Sequence, residues 1–276
     1  MPADYHTHTA YCGHARGSIG QYVESAISLG LREIGFSDHL GRYYLTPAQR
    51  RRYLDWGMDE KKLNWYFSDL LEAKGSYRDR INISVGLEID YVEGYEQMLE
   101  PIIERYPFDY LLCSIHCLPR FGWKHLSAYL SYADTMAIYT EYFRVVRSAI
   151  DCGLFHILAH PDLIWRTIGW PTCETSLPFQ EIADMTAAAK EANVAIEINS
   201  NGFRWSRENR LAYGDPFFTM LDLCGKLGAP ISLGSDAHEP QDVGQLFPEL
   251  RSALRQCGIT GTACFTSGIM RNEPLA

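Results

Sequence analysis

A chain of 276 residues, 46% hydrophobic and 21% charged with a formal net charge of −9, has the apolar content for one large core or two small ones. It lacks the basic face that would release counterions from nucleic acid. No apolar run approaches the ~18 residues of a membrane span, and residues 1–9 lack the regions of a signal peptide, so the expected location is the cytoplasm. The eight cysteines form no CxxC pair or regular framework; Cys113, Cys152, Cys224 and Cys264 lie in apolar surroundings and read as reduced core residues.

The chain opens with Asp4-Tyr5-His6-Thr7-His8-Thr9. Two histidines spaced i, i+2 at a strand end point the same way, as metal ligands must. A polar strand end with two exposed histidines is the plainer reading of so short a pattern, and recurrence along the chain weighs against it. After a loop at 13–17, Ser18 can cap a helix running to about residue 29, where Gly30 stops it. A strand at 33–36 delivers Asp38 and His39. The irregular connection 41–57, with Tyr43, Tyr44, an Arg50-Arg51-Arg52 run and Trp56, reads as an active-site lid or a surface excursion, the arginines as a solvated helix face.

A helix is expected over 58–80, then a strand at 81–89 carrying Glu88, a helix at 96–106, and a strand at 110–115 presenting His116. A second irregular loop, 118–130, precedes a long amphipathic helix at 132–152. His156 stands at the start of the fifth strand, the wrong end for the cluster, and reads as structural; His160 stands at the right end. A helix at 179–192 leads to a strand at 194–198 that runs out into Asn199-Ser200-Asn201-Gly202-Phe203-Arg204. A helix at 216–227 and a strand opened by Pro230 deliver Asp236 and His238; a helix at 241–257 and a short strand at 262–265 complete the chain. Seven or eight β-α units with short connections predict an α/β fold, one domain over 1–276, with a parallel barrel inside a layer of helices. Catalytic groups gathered at strand C-termini are what that architecture produces.

The motifs in order are H-T-H-T at 6–9, G-H at 13–14, S-D-H at 37–39, G-L-E at 86–88, S-I-H at 114–116, A-H-P-D at 159–162 and G-S-D-A-H at 234–238. Together they resemble those of the polymerase-and-histidinol-phosphatase (PHP) family of metal-dependent phosphoesterases over nearly the whole chain. The stretches 11–17 and 197–199 and the total length most resemble its monofunctional histidinol-phosphate phosphatases; the tail after Gly268 matches nothing in the pattern. The resemblance implies a distorted, TIM-like (β/α)7 barrel holding three divalent metals. One would take His6, His8, Glu88 and Asp236, with Glu88 bridging; a second Glu88, His116 and His160; a third His14, His39 and His238. Glu88, Asp236 and His238 would be the catalytic members. Histidine-rich ligation suits zinc, iron(II) or manganese better than calcium or magnesium.

The activity so implied is hydrolysis of L-histidinol phosphate in histidine biosynthesis, with a metal-bridging hydroxide as nucleophile. The same chemistry on another small phosphate or nucleotide is the near alternative. Three divalent ions give about +6 and two carboxylates with a hydroxide remove about 3, leaving a surplus of roughly +3 for a phosphate dianion. Arg166 and Arg204, following the fifth and sixth strands, are candidates for a bidentate grip on that phosphate, weighed against ordinary surface arginines. Asp38 and Asp162 are candidates to orient imidazoles, or else capping or loop carboxylates. Cys12 lies beside the histidines, where packing is the simpler role. Tyr43, Tyr44, Trp123 and Trp165 are candidates to line the leaving-group pocket or to pack core and lid.

Two other classes share parts of the pattern. Amidohydrolase-type C–N hydrolases also open with H-x-H, but they commonly bridge two metals with a lysine at the fourth strand end, and here the run 111–116 offers none. A non-enzymatic metal-binding module is the third reading, opposed by the complete ligand set. The expected partner is a small phosphorylated substrate, with no nucleic acid and no membrane; the oligomeric state is open.

Overall fold

The computed structural model describes residues 3–52, 57–122, 124–129, 134–171, 177–209 and 214–275. Its strands are β1 (Glu33–Phe36), β2 (His39–Leu40), β3 (Asn82–Asp90), β4 (Tyr110–Ser114), β5 (Cys117–Leu118), β6 (Lys124–His125), β7 (Ile157–Leu158), β8 (Ala195–Asn199), β9 (Ile231–Gly234), β10 (Gly261–Thr266) and β11 (Ile269–Pro274). The main sheet runs β1-β3-β4-β7-β8-β9 in parallel, with β2 continuing beside β3. The opening stretch closes the curl. Asp4 bridges to Ile34 and Thr7 to Ala237, both in parallel, while Tyr5 N–H donates to Leu233 O at 3.0 Å and Gly35 N–H to Asp4 O at 2.7 Å. Counting that stretch, seven parallel chain segments ring the interior, which is the distorted (β/α)7 arrangement expected from the sequence.

Helix lies between each pair of successive segments around the ring, as short parallel connections require. The first helix, Ile19–Ser28, starts at a capping box in which Ser18 and Gln21 satisfy each other's backbone N–H groups. The arginine run lies on the helix Pro47–Arg52; Arg50 pairs with Glu60 at 2.6 Å and Arg51 and Arg52 are exposed. The helix expected over 58–80 begins at Leu63 after a 3-10 turn and ends at Ser76. That expected over 241–257 is only Phe247–Gln256, because Gly244 and Leu246 both take left-handed backbone at φ 61°. The stretch 200–204, into which the sixth strand runs out, is helical. It opens the helix Ser200–Glu208, capped by the Asn199 side chain accepting from Asn201 N–H.

The tail that matched no motif is the second arm of an antiparallel hairpin, β10–β11. The hairpin seals the N-terminal end of the ring: Phe265 meets Tyr5 edge-to-face at 5.2 Å, and Tyr5 meets Tyr110 at 5.0 Å. Gly35 and Gly86 give Tyr110 its space, since a Cβ on either would come within 2.3 or 2.6 Å of its phenol. His156 belongs to this closed end, its Nδ1 accepting from Leu111 N–H at 3.0 Å. No helix among the described residues is long and apolar enough to cross a membrane.

Candidate metal centre

At the opposite end, all nine residues expected as ligands converge. Glu88, fully buried on β3, is the hub. Its Oε2 lies 2.8 Å from His39 Nδ1, 3.2 Å from His6 Nε2 and 3.5 Å from His8 Nε2; its Oε1 lies 2.9 Å from His160 Nε2 and 3.7 Å from His116 Nε2. Asp236 Oδ1 stands 3.2 Å from His8 Nε2, 3.5 Å from His6 Nε2 and 3.7 Å from His238 Nδ1. The His14 ring stacks on His238 at 4.8 Å and lies 5.2 Å from His39.

The close groupings of donor atoms overlap the expected sets without reproducing them. His6, His8 and Glu88 form one group and His6, His160 and Asp236 another. Around the third expected set the grouping differs: His238 clusters with His8 and His39, and separately with His14 and Cys12. Cys12 is buried, its thiol donating to Thr9 O at 3.2 Å, and burial pushes its pKa up to about 12. It packs against the cluster as a neutral thiol.

The donor set fits a divalent cation on its own geometry. His6 Nδ1–H donates to Glu197 Oε1 at 2.6 Å, which turns the Nε2 lone pair toward the oxygens of Glu88 and Asp236. His6 Nε2 and Glu88 Oε2 are buried without a hydrogen-bond partner. A lone pair facing two carboxylates repels them unless a cation or a proton sits between. Burial alone would lower the His6 pKa, yet Glu197, Glu88 and Asp236 raise it well above its usual 6.5. Burial likewise opposes charge on Glu88 and Asp236. The imidazoles override it, those of His39 and His6 at Glu88 and those of His6 and His8 at Asp236, and hold both carboxyls well below the usual range. Two ligand positions sit on left-handed backbone, His160 at φ 24° and Asp236 at φ 56°, strain of a kind that collects at functional sites.

Neither aspartate considered for orienting imidazoles does so. Asp38 is a loop carboxylate, accepting from Thr9 N–H at 3.0 Å and Cys12 N–H at 2.9 Å and so tying down the turn after His8. Asp162 bonds Arg166 Nε. The carboxylates that do hold imidazoles are Glu197, on His6, and Asp90, which accepts from His116 Nδ1. Glu197 also accepts from His160 N–H at 2.6 Å. A signal for each exists in the sequence: Asp90 shares a strand face with Glu88 two residues away, and Glu197 is a lone charge inside the apolar run 194–198.

Arg166 is mostly buried, and its Nη2 has no hydrogen-bond partner. Arg204 is exposed and bonds Asn201 Oδ1 at 3.4 Å and Gln245 Oε1. Trp165 is fully buried in the core, which removes it from any leaving-group pocket. Tyr43 and Tyr44 turn their hydroxyls onto Asp90. Trp56 and Trp123 lie outside the described residues.

The chain belongs to the PHP domain family, whose model matches residues 4–201. Among proteins it is similar to, a probable histidinol-phosphatase of Deinococcus radiodurans is 28% identical over 92% of this chain and 93% of that one. A histidinol-phosphatase of Bacillus subtilis is 25% identical over 88% and 96%. The crystal structure of a Lactococcus lactis histidinol phosphate phosphatase, complexed with zinc, L-histidinol and phosphate, superposes with a TM-score of 0.78 at 21% identity, covering 98% of both chains. That likeness confirms the fold.

Proposed function

We propose that this chain is a metal-dependent phosphomonoesterase that hydrolyses L-histidinol phosphate to L-histidinol and phosphate. The observation that carries the reading is the buried Glu88 carboxylate ringed by five imidazole nitrogens within 3.7 Å, in a chain whose full-length relatives are named histidinol-phosphatases. His6, His8, Glu88 and Asp236 would hold one ion, His116 and His160 a second with Glu88 between, and His14, His39 and His238 a third. Such ions, when bound, supply an activated water and neutralise charge on the phosphoryl oxygens.

The protein's own groups do the rest. Neutral imidazoles leave the centre a positive surplus, because only Glu88 and Asp236 among the nine ligands carry charge. Glu197 and Asp90 fix which ring nitrogen of His6 and His116 faces inward. Arg166, steadied through Nε by Asp162, has Nη2 free to donate to a phosphoryl oxygen. The test is phosphate release by metal-replete protein from histidinol phosphate, a sugar phosphate and a nucleoside monophosphate at equal concentration. Histidinol phosphate should lead, with kcat/KM of about 10⁴ M⁻¹ s⁻¹ or more. Leadership by another substrate would move the assignment within the family, and no turnover on any would sink it. Glu88→Gln keeps the shape and loses the charge; it should lose both bound metal by elemental analysis and nearly all activity.

A further inference from the structure

Asp90 stands two residues beyond Glu88 on the same face of β3 and is buried. Both carboxylate oxygens and the backbone carbonyl are engaged. Oδ1 accepts from His116 Nδ1 and from the Ser114 hydroxyl at 3.4 Å, Oδ2 accepts the Tyr44 hydroxyl at 3.3 Å, and the backbone carbonyl accepts the Tyr43 hydroxyl at 2.8 Å. The two tyrosine rings meet edge-to-face at 5.2 Å, and Tyr44 leans on Tyr95 at 6.3 Å. Both tyrosines open the long connection between β2 and β3. That connection is tied back on itself by Arg50, which reaches Tyr43 O at 3.3 Å and Glu60 at 2.6 Å.

An imidazole that gives Nδ1–H to a carboxylate presents its Nε2 lone pair on the other side. For His116 that nitrogen faces Glu88 Oε1 at 3.7 Å, so the ring's usefulness as a ligand depends on what holds Asp90. We propose that Asp90 is a positioning residue that sets the tautomer and plane of His116. We infer further that Tyr43 and Tyr44 hold Asp90 in turn, so that cation retention at His116 and the order of residues 41–52 are coupled. This rests on the metal-centre reading above. The coupling is reciprocal, as linkage requires: whatever tightens the connection tightens the cation, and the cation tightens the connection. An ordinary packing role for the tyrosines predicts no such dependence, because their rings fill the same space with or without a hydroxyl.

The test uses full-length, metal-loaded wild type, Asp90→Asn, Tyr44→Phe and Glu88→Gln. Metal release to a chelator, the visible spectrum of the cobalt(II)-loaded protein, and amide hydrogen exchange of peptides spanning 41–52 with and without metal are measured. Asp90→Asn should lose about 10–100-fold in metal affinity and shift the cobalt bands. Tyr44→Phe, which keeps the ring and removes only the hydroxyl, should release metal severalfold faster and lose the slowing of 41–52 exchange that loading gives the wild type. Wild-type release and spectrum in Asp90→Asn overturn the positioning role. Wild-type release and exchange in Tyr44→Phe overturn the link to the connection, and this variant carries the test if Asp90→Asn does not fold. Full metal retention by Glu88→Gln would instead remove the metal-centre reading itself.

Discussion

Glu197 does two jobs with one side chain: Oε1 holds His6 Nδ1 and Oε2 holds the His160 backbone N–H, both at 2.6 Å. Glu197→Gln replaces one of those acceptors with an NH2 donor, so either the imidazole or the strained His160 peptide is left facing a donor. The expected result is a stability loss of about 1–3 kcal/mol together with about 10–100-fold weaker metal binding. Thermal denaturation and metal titration check it, and a variant with wild-type metal affinity would mean His6 is held some other way. The arginines divide on their surroundings. Arg166→Ala removes a mostly buried guanidinium with a free donor and should lower kcat/KM about tenfold or more, the worth of one charge-assisted hydrogen bond. Arg204→Ala removes an exposed group already bonded to Asn201 and Gln245 and should cost less. Steady-state kinetics of the two variants decide, and equal losses would contradict the ranking. Residues that offer metal-ligand chemistry, such as His6, Glu88 and His238, were legible in the sequence because few other roles put imidazoles at strand ends. Glu197 and Asp90 carried a fainter signal. A single carboxylate near a strand end suits a cap, a loop or an imidazole equally, and Asp38 and Asp162, next to His39 and shortly after His160 in the chain, serve a loop and an arginine instead.

At the level of elements, the parallel strands were legible because hydrophobic runs ended repeatedly in histidine or carboxylate residues. The second arm of the hairpin, Ile269–Pro274, was hidden, because its residues are mostly exposed. Such an arm buries too little apolar surface to mark itself as a strand; it is ordered by its partner, through ladder bonds and through Phe265. One helix start was misplaced because left-handed backbone intervened, at Gly244 and Leu246. Phe265 is 2% exposed and touches both Tyr5 and Tyr110, so Phe265→Ala should open a cavity and cost about 3–5 kcal/mol. The melting temperature should fall by on the order of 10 °C while metal content at low temperature stays at the wild-type level. A parallel loss of metal would show that the closed end of the ring also governs the open one, through the strand that joins Tyr5 to His6.

For the whole molecule, a metal held at the candidate centre would also be a stability element, and the protonation states of the metal-free cluster fix how that depends on pH. Burial favours neutral His6, but Glu197, Glu88 and Asp236 together raise its pKa well above 6.5. A histidine raised in the folded state contributes stability that is complete below its unfolded pKa and is lost as pH climbs through the folded value. At His6 the metal-free chain therefore relies on a proton, and that contribution is lost as the medium becomes alkaline. In the loaded chain a cation replaces that proton, and its binding grows stronger as protons compete less for the imidazoles. A ligand that binds only the folded state adds about 2.7 kcal/mol at one hundred times its Kd. The difference in melting temperature between loaded and chelated protein should thus be small near pH 6 and widen steadily toward pH 8.5. Comparing the two states at each pH cancels titrating groups remote from the cluster. A difference that stayed constant or narrowed across that range would mean that His6 is not charged in the metal-free fold, and that some other arrangement relieves the lone pair between Glu88 and Asp236.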